Sequence, residues 1–348
     1  MSIDTEDSRL KGFEDYRSGA VRRMAQKVSA VFSSLEVLPF LKPRDRKEFR
    51  YFRRLFCSAC KEIDARTEAG IIRPWSKSSI DTLLAAAAAD FPRANRQEAQ
   101  STPRRKGAIT EAGVDGATRC LAVPPGTIRA GIFMGSFDPF QMTHLETALR
   151  FLARCGRESD LVLVVPEGAY STLTPGRSEY GYRYDILRRQ AQEAFSPFIV
   201  PLDIGEGQDT IGIVKRLIAL FSGRRLELTH VLGSDVFPMA SRWYPEDLSA
   251  WKPYAQRMDT DLDFASFVVK RDRSDRIIEA VRAARKAGVA VQVDPRPIGT
   301  PSSTEFRERG VFTIVFPTEE VLEKLEVVFR YGMHRHWLTD RSGTEYEI

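Results

Sequence analysis

After its opening aspartate, Asp160-Leu-Val-Leu-Val-Val-Pro166 is an unbroken apolar run with no polar residue on either side of the pleat. Such a run suits a strand covered on both faces, and two covered faces require helices above and below a largely parallel sheet. The following sequence keeps to that plan. Helical spacing over Tyr182 to Phe195 leads to a short strand at Phe198 to Leu202, and a helix over Ile211 to Phe221 leads to a strand at Leu226 to Leu232. A strand at Phe264 to Lys270, a helix at Ser274 to Ala287 and a strand at Val289 to Val293 continue the alternation. The expected fold class is therefore α/β, a doubly wound (Rossmann-like) parallel sheet whose ligands lie beyond the carboxyl ends of the strands.

The unit opens at Gly131-Ile-Phe-Met-Gly-Ser-Phe-Asp-Pro-Phe-Gln-Met-Thr-His-Leu-Glu146. Ile128 to Met134 reads as a buried strand broken by Gly135-Ser136, and Pro139 prevents an early helix. Thr143-His144-Leu145-Glu146 has the form of a capping box, which predicts a helix beginning at His144. Leu145, Ala148, Leu149 and Leu152 follow at helical spacing. The free amides and partial positive charge of that helix start make a phosphate site, with an imidazole on its first residue.

Upstream, the character changes. Residues 1 to 120 hold 23 Lys and Arg against 16 Asp and Glu, so the net charge of +5 belongs to the N-terminal third. Three helices are expected there, at Tyr16 to Leu35, Arg44 to Glu68 and Ser79 to Asp90. They form a helical extension over 1–91, followed by a linker over 92–125 and an α/β domain over 126–340. Their apolar faces are expected to be buried against each other, the α/β domain or a second copy, and a chain starting near Ala122 is expected still to fold. Lys42 to Arg54 interleaves basic and aromatic residues, a composition that can bind nucleic acid. On a helix the aromatics would turn inward and the charges outward, which favours a solvated surface over a nucleic-acid partner. Cys57-Ser-Ala-Cys60 has no second Cys or His pair at metal-site spacing, so two small buried thiols are expected. No apolar run reaches the ~18 residues of a membrane span, and Met1-Ser-Ile-Asp-Thr-Glu-Asp lacks a secretion pattern, which places the expected protein in the cytoplasm.

The residues of the opening stretch resemble the signature of the nucleotidyltransferases that join a mononucleotide or phosphoester to a nucleoside triphosphate. That signature reads Gly-Ser/Thr-Phe-Asp/Asn-Pro, then His-x-Gly-His or Thr-x-x-His, and here Gly135-Ser136-Phe137-Asp138-Pro139 is followed by Gln141-Met142-Thr143-His144. Pro301-Ser302-Ser303-Thr304-Glu305-Phe306-Arg307 resembles the second motif of the family, Ile-Ser-Ser-Thr-x-Ile-Arg. Gly233-Ser234-Asp235 with Trp243 resembles the Gly-Ala-Asp…Trp segment of the nicotinate and nicotinamide mononucleotide adenylyltransferases. Arg183 to Leu187, Asp209-Thr210-Ile211, and Val315 to Leu322 with Tyr331-Gly extend the resemblance over about 128 to 338. The sequence departs from the family at Gln141, where bacterial members have histidine. It departs again where Thr174-Pro175-Gly176-Arg177 replaces a Pro-His-Lys loop.

The resemblance implies attack of a mononucleotide phosphate on the α-phosphorus of ATP, with release of pyrophosphate and no covalent intermediate, a step of NAD biosynthesis. His144 would meet the α-phosphate, Gln141 would donate a neutral hydrogen bond, and Arg307 and Ser303 would hold the β and γ phosphates. Gly135, Ser136, Phe137, Gly233, Asp235, Ser302 and Thr304 would line the nucleotide. Trp243 would stack on a pyridine ring, and Arg177 would supply a cation in place of the missing lysine. Mg²⁺ would accompany ATP, bound through phosphate and water. A homo-oligomer stays open. Two alternatives also stand: a non-catalytic nucleotide-binding protein with a partner-binding arm, and a superfamily member using another phosphoester acceptor or CTP.

Overall fold

The computed structural model describes residues 19–33, 43–92, 126–168, 180–272, 277–298, 337–339 and 345–347. Among these, residues 19–33 form α1, Pro43–Glu68 α2 and Lys77–Asp90 α3. The α/β unit then runs β1 (Ile128–Gly135), α4 (Met142–Arg154), β2 (Leu161–Pro166), α5 (Tyr180–Phe195), β3 (Ile199–Pro201), α6 (Thr210–Leu220) and β4 (Arg225–Gly233). It continues with α7 (Phe237–Arg257), β5 (Asp261–Val269), α8 (Ile278–Lys286) and β6 (Ala290–Asp294). A short antiparallel pair, β7 (Trp337–Thr339) and β8 (Glu345–Glu347), lies beyond it.

The six central strands make one parallel sheet in the order β3-β2-β1-β4-β5-β6. The chain winds outward from β1 in one direction and, after crossing over, outward from β4 in the other. The crevice between β1 and β4 is thus the topological switch point, where such sheets bind ligands. Every residue of β2 is buried, as its unbroken apolar run requires. Alternate side chains serve opposite faces. Phe133, Val162, Val164, Val231 and Phe267 join the cluster under α4 and α5, while Ile132, Leu163, Val165, Leu228 and Val268 join the cluster under α6, α7 and α8. Gly131 has a packing reason: a Cβ there would meet the Phe151 ring at 2.5 Å, so the glycine lets α4 lie close on β1.

The N-terminal helices belong to both cores. Phe32 of α1 packs edge-on against Phe49 and Phe56 of α2, and Phe56 packs in turn against Phe195 of α5 at 5.9 Å. On the other face Trp75, just before α3, meets Phe221 at 6.3 Å, and Arg216 of α6 lies over Phe91 at 4.9 Å. The apolar faces are therefore buried against each other and against the α/β unit. Because α2 lies on its outer side, α4 is buried nearly all round. Its polar residues are met by an ion network: Arg150 Nε donates to Glu146 at 2.6 Å, and Arg154 bonds both oxygens of Glu62 in α2 and also Asp294 at 3.1 Å.

Most sequence-based boundaries shift by one to three residues, and two differences have physical causes. The helix expected at His144 with Thr143 as its cap starts at Met142 instead, with Gln141 as N-cap. An entire helix, α7, was not expected, because Pro245 and Pro253 lie inside it. Proline removes a donor in each turn, yet Tyr244, Leu248, Trp251 and Ala255 are buried on one face, and Trp251 Nε1 donates to Ile211 O at 3.2 Å. Tertiary packing holds the helix through both prolines. The linker over 93–125 and the segments Val315–Leu322 and Tyr331-Gly lie outside the described residues.

Candidate nucleotide site at the sheet switch point

At the carboxyl end of β1 the chain turns through Ser136 to Phe140 before entering α4. Phe137 has φ of 44°, in the left-handed region that a bulky residue rarely adopts. Such a conformation costs on the order of 1–3 kcal/mol and persists only where the surroundings impose it. The surroundings here are aromatic: Phe137 lies 5.1 Å from Phe133, 5.1 Å from Phe140 and 5.0 Å from the His144 ring.

His144 is boxed by these three phenylalanines and keeps part of its surface accessible. The backbone N–H of Gln141 donates to its Nδ1 at 3.1 Å, while the His144 backbone N–H donates to the Gln141 carbonyl at 2.9 Å. Enclosure in the aromatic box, with the positive charge of Arg271 as a lesser cause, pushes the imidazole pKa down to about 3. A neutral ring whose Nδ1 is an acceptor carries its proton on Nε2. The site thus presents an uncharged N–H donor at a helix N-terminus.

Gln141 sits at the N-cap, 1% exposed. The Thr143 hydroxyl, expected to cap the helix, is fully buried and has no hydrogen-bond partner among the described residues. Ser136 is half-buried, and its carbonyl accepts from Arg183, which also donates to Glu167 O at 2.9 Å. Arg183 in this way ties the loop after β1 to the end of β2. Beyond β4, Gly233 leads into a turn in which Ser234 is buried and Asp235 exposed. The Ser234 hydroxyl accepts from the Arg271 backbone N–H at 2.8 Å, and a Cβ on Gly233 would lie 3.5 Å from Arg271. His144, Gly233, Ser234, Asp235 and Arg271 therefore converge over the β1/β4 crevice.

Behind this turn α7 is pinned by a buried chain in which His230 Nδ1 lies 3.1 Å from Tyr244 Oη, which lies 2.8 Å from Ser266 Oγ. Trp243 emerges from α7 with 41% exposure, on the same side as exposed Met239 and Val236. Ser302, Ser303, Thr304, Arg307 and Arg177 lie outside the described residues.

Arg271 is the member of the site that sequence reasoning missed. Its signal is the Lys270-Arg271 pair directly after the apolar run of β5, where cationic side chains meet the ligand edge of a parallel sheet.

No family model matches the chain, and no curated protein matches it. Among solved structures, Plasmodium falciparum nicotinic acid mononucleotide adenylyltransferase complexed with APC aligns with a TM-score of 0.37 and 16% identity, over 59% of this chain and 96% of that one. The same enzyme complexed with NaAD aligns with a TM-score of 0.39 and 16% identity, over 60% of this chain and 97% of that one. Likeness at this level assigns neither a reaction nor a substrate to this chain.

Proposed function

We propose that the chain is an adenylyltransferase that joins ATP to a mononucleotide phosphate, with a pyridine mononucleotide as acceptor, and releases pyrophosphate. The observation that carries this reading is the neutral His144 Nε2–H donor, set by the Gln141 amide at the N-terminus of α4. In such a transfer the acceptor phosphate attacks the α-phosphorus of ATP, negative charge builds on the α-phosphate oxygens, and the bond to the β-phosphate breaks. A preorganised donor and the free amides of a helix start stabilise that charge without needing to reorganise. Arg271, across the crevice, adds positive charge on the same side. Asp235 can accept ribose hydroxyls, and Trp243 offers an indole face to an aromatic ring. Ser303 and Arg307 would hold the β and γ phosphates, and Arg177 the remaining anionic group. Mg²⁺ would arrive with ATP, held by phosphate oxygens and water.

The test is incubation of the full chain with ATP, Mg²⁺ and either nicotinamide or nicotinate mononucleotide, following dinucleotide and pyrophosphate together. Stoichiometric appearance of both is expected. ATP binding without any product from these or other phosphoester acceptors would instead support the non-catalytic reading.

A further inference from the structure

The basic, aromatic-containing start of α2 is unused by the proposed reaction, and the structure changes how it reads. Phe49, Phe52 and Phe56 turn inward and are buried, as a solvated helix face would require. Tyr51 does not: its side chain lies outward, 38% exposed, 5.6 Å from the Phe52 ring. Lys47, Arg50 and Arg54 are exposed around it. Spacings of three and four residues put all four side chains on one stripe. From Lys47 to Arg54 that stripe spans roughly 10 Å along the helix axis.

Two observations bear on this stripe. In the α/β unit, Arg129, Arg150, Arg154, Arg157 and Arg225 each have a carboxylate within 4.0 Å, while exposed Arg242, Lys252, Arg285 and Lys286 have none among the described residues and are scattered over α7 and α8. Among the described residues, Lys47, Arg50 and Arg54 have none. The first half of α2 is also basic on balance: Arg44, Arg46, Lys47, Arg50, Arg53 and Arg54 outnumber Asp45 and Glu48 there, whereas Lys61 and Arg66 stand beside Glu62, Asp64 and Glu68 in the last turns. Net positive charge near a helix N-terminus weakens the helix, so this excess does not serve α2 itself.

We propose that this stripe is a docking surface for single-stranded nucleic acid, with Lys47, Arg50 and Arg54 on successive phosphates and Tyr51 stacking on a base. Phosphate contacts from cationic side chains combined with an aromatic platform are the recurrent means of binding single strands without sequence preference. An anionic membrane fits less well, because surface-bound helices insert an apolar face. The apolar face of α2 is already enclosed by α1 and α5.

The experiment is fluorescence anisotropy of a labelled mixed-sequence 12-nucleotide RNA titrated with the full chain at 50 and 200 mM salt, with and without millimolar ATP. Binding is expected to weaken roughly 20-fold between the two salt concentrations, on a slope of about 0.7 per phosphate for three phosphates. ATP should not compete, since the stripe is separate from the crevice. The Lys47→Ala/Arg50→Ala/Arg54→Ala variant should bind at least tenfold more weakly and lower the salt slope by about 2. Tyr51→Ala should weaken binding about fivefold or more with the slope unchanged. All four side chains are exposed, so thermal unfolding and any adenylyl transfer should stay as in the wild type. Absence of RNA binding at 50 mM salt, competition by ATP, or undiminished binding by the triple variant would overturn the proposal. So would capture by vesicles containing 30% phosphatidylserine in place of RNA.

Discussion

The backbone N–H of Gln141 donates to Nδ1 of His144 across 3.1 Å, and this one bond decides which nitrogen carries the proton of the neutral ring. Sequence alone places the histidine at a helix start. The tautomer comes from the helix beginning at Met142, two residues earlier than its capping pattern suggests, so that His144 reaches back to its own N-cap.

His144→Ala removes that donor and nothing that carries the sheet. Turnover in the dinucleotide assay is expected to fall about 10²- to 10³-fold, the cost of losing one preorganised donor, with an unchanged circular dichroism spectrum. The pH dependence supplies a second check. With its pKa near 3, the ring is neutral on both sides of its ordinary value of 6.5, so kcat/KM should show no inflection from His144 between pH 5.5 and 7.5. A limb near 6.5 that vanishes in the alanine variant would mean that the imidazole works as a cation.

Gln141 stands where the resembled signature carries histidine in its bacterial form, and its side chain is almost wholly enclosed. Gln141→His is expected to keep turnover within severalfold. Gln141→Ala should lose both some turnover and some thermal stability, because it empties a buried position at the N-cap. A wild-type chain inert with every acceptor, joined to a Gln141→His variant that turns over, would decide for the non-catalytic reading.

The architecture was legible because β2 is a short apolar run and the strands alternate with helices of clear periodicity, whereas the placing of β4 beside β1 was not, since alternation gives the succession of elements and not their order in the sheet. Less legible were features made by tertiary packing. The buried faces of Tyr244 and Trp251 hold α7 through two prolines, and Arg271 enters the site only because β5 lies next to β4. The enclosure of α4 by α2 is a further case, since an amphipathic pattern says that a face is buried and not what buries it.

That enclosure bears on the N-terminal helices. Removing residues 1–92 would uncover Phe195 and the outer side of α4, and would strip Glu62 from Arg154. Such a chain is expected to lose cooperative unfolding and to bind a hydrophobic dye, contrary to the independence suggested by sequence. A milder probe is Phe56→Ala, expected to cost about 3–5 kcal/mol in urea unfolding as a fully buried aromatic. A truncated chain that unfolds cooperatively at an unchanged midpoint would show that the α/β unit stands alone.

Asp247 of α7 gives a prediction with a definite sign. Only 5% of this residue is exposed, and it lies beside α6 one turn before Trp251, whose indole reaches Ile211. Burial is the main cause raising its carboxyl from 3.8 to about 7, followed by the negative charges of Asp209, Glu246 and Glu167. Between those two values the folded chain holds a proton that the unfolded chain has released. This group's contribution to stability is therefore fully present below about pH 4, declines as pH rises, and is lost above about pH 7. Asparagine has no proton to lose. The stability of Asp247→Asn relative to wild type should accordingly increase from pH 4 to pH 7 and then level off, with a total change on the order of 4 kcal/mol. Urea unfolding of both proteins at pH 5, 6, 7 and 8 measures it directly. A difference that stays constant over that range would mean that Asp247 remains ionised in the folded chain, its charge balanced by its surroundings.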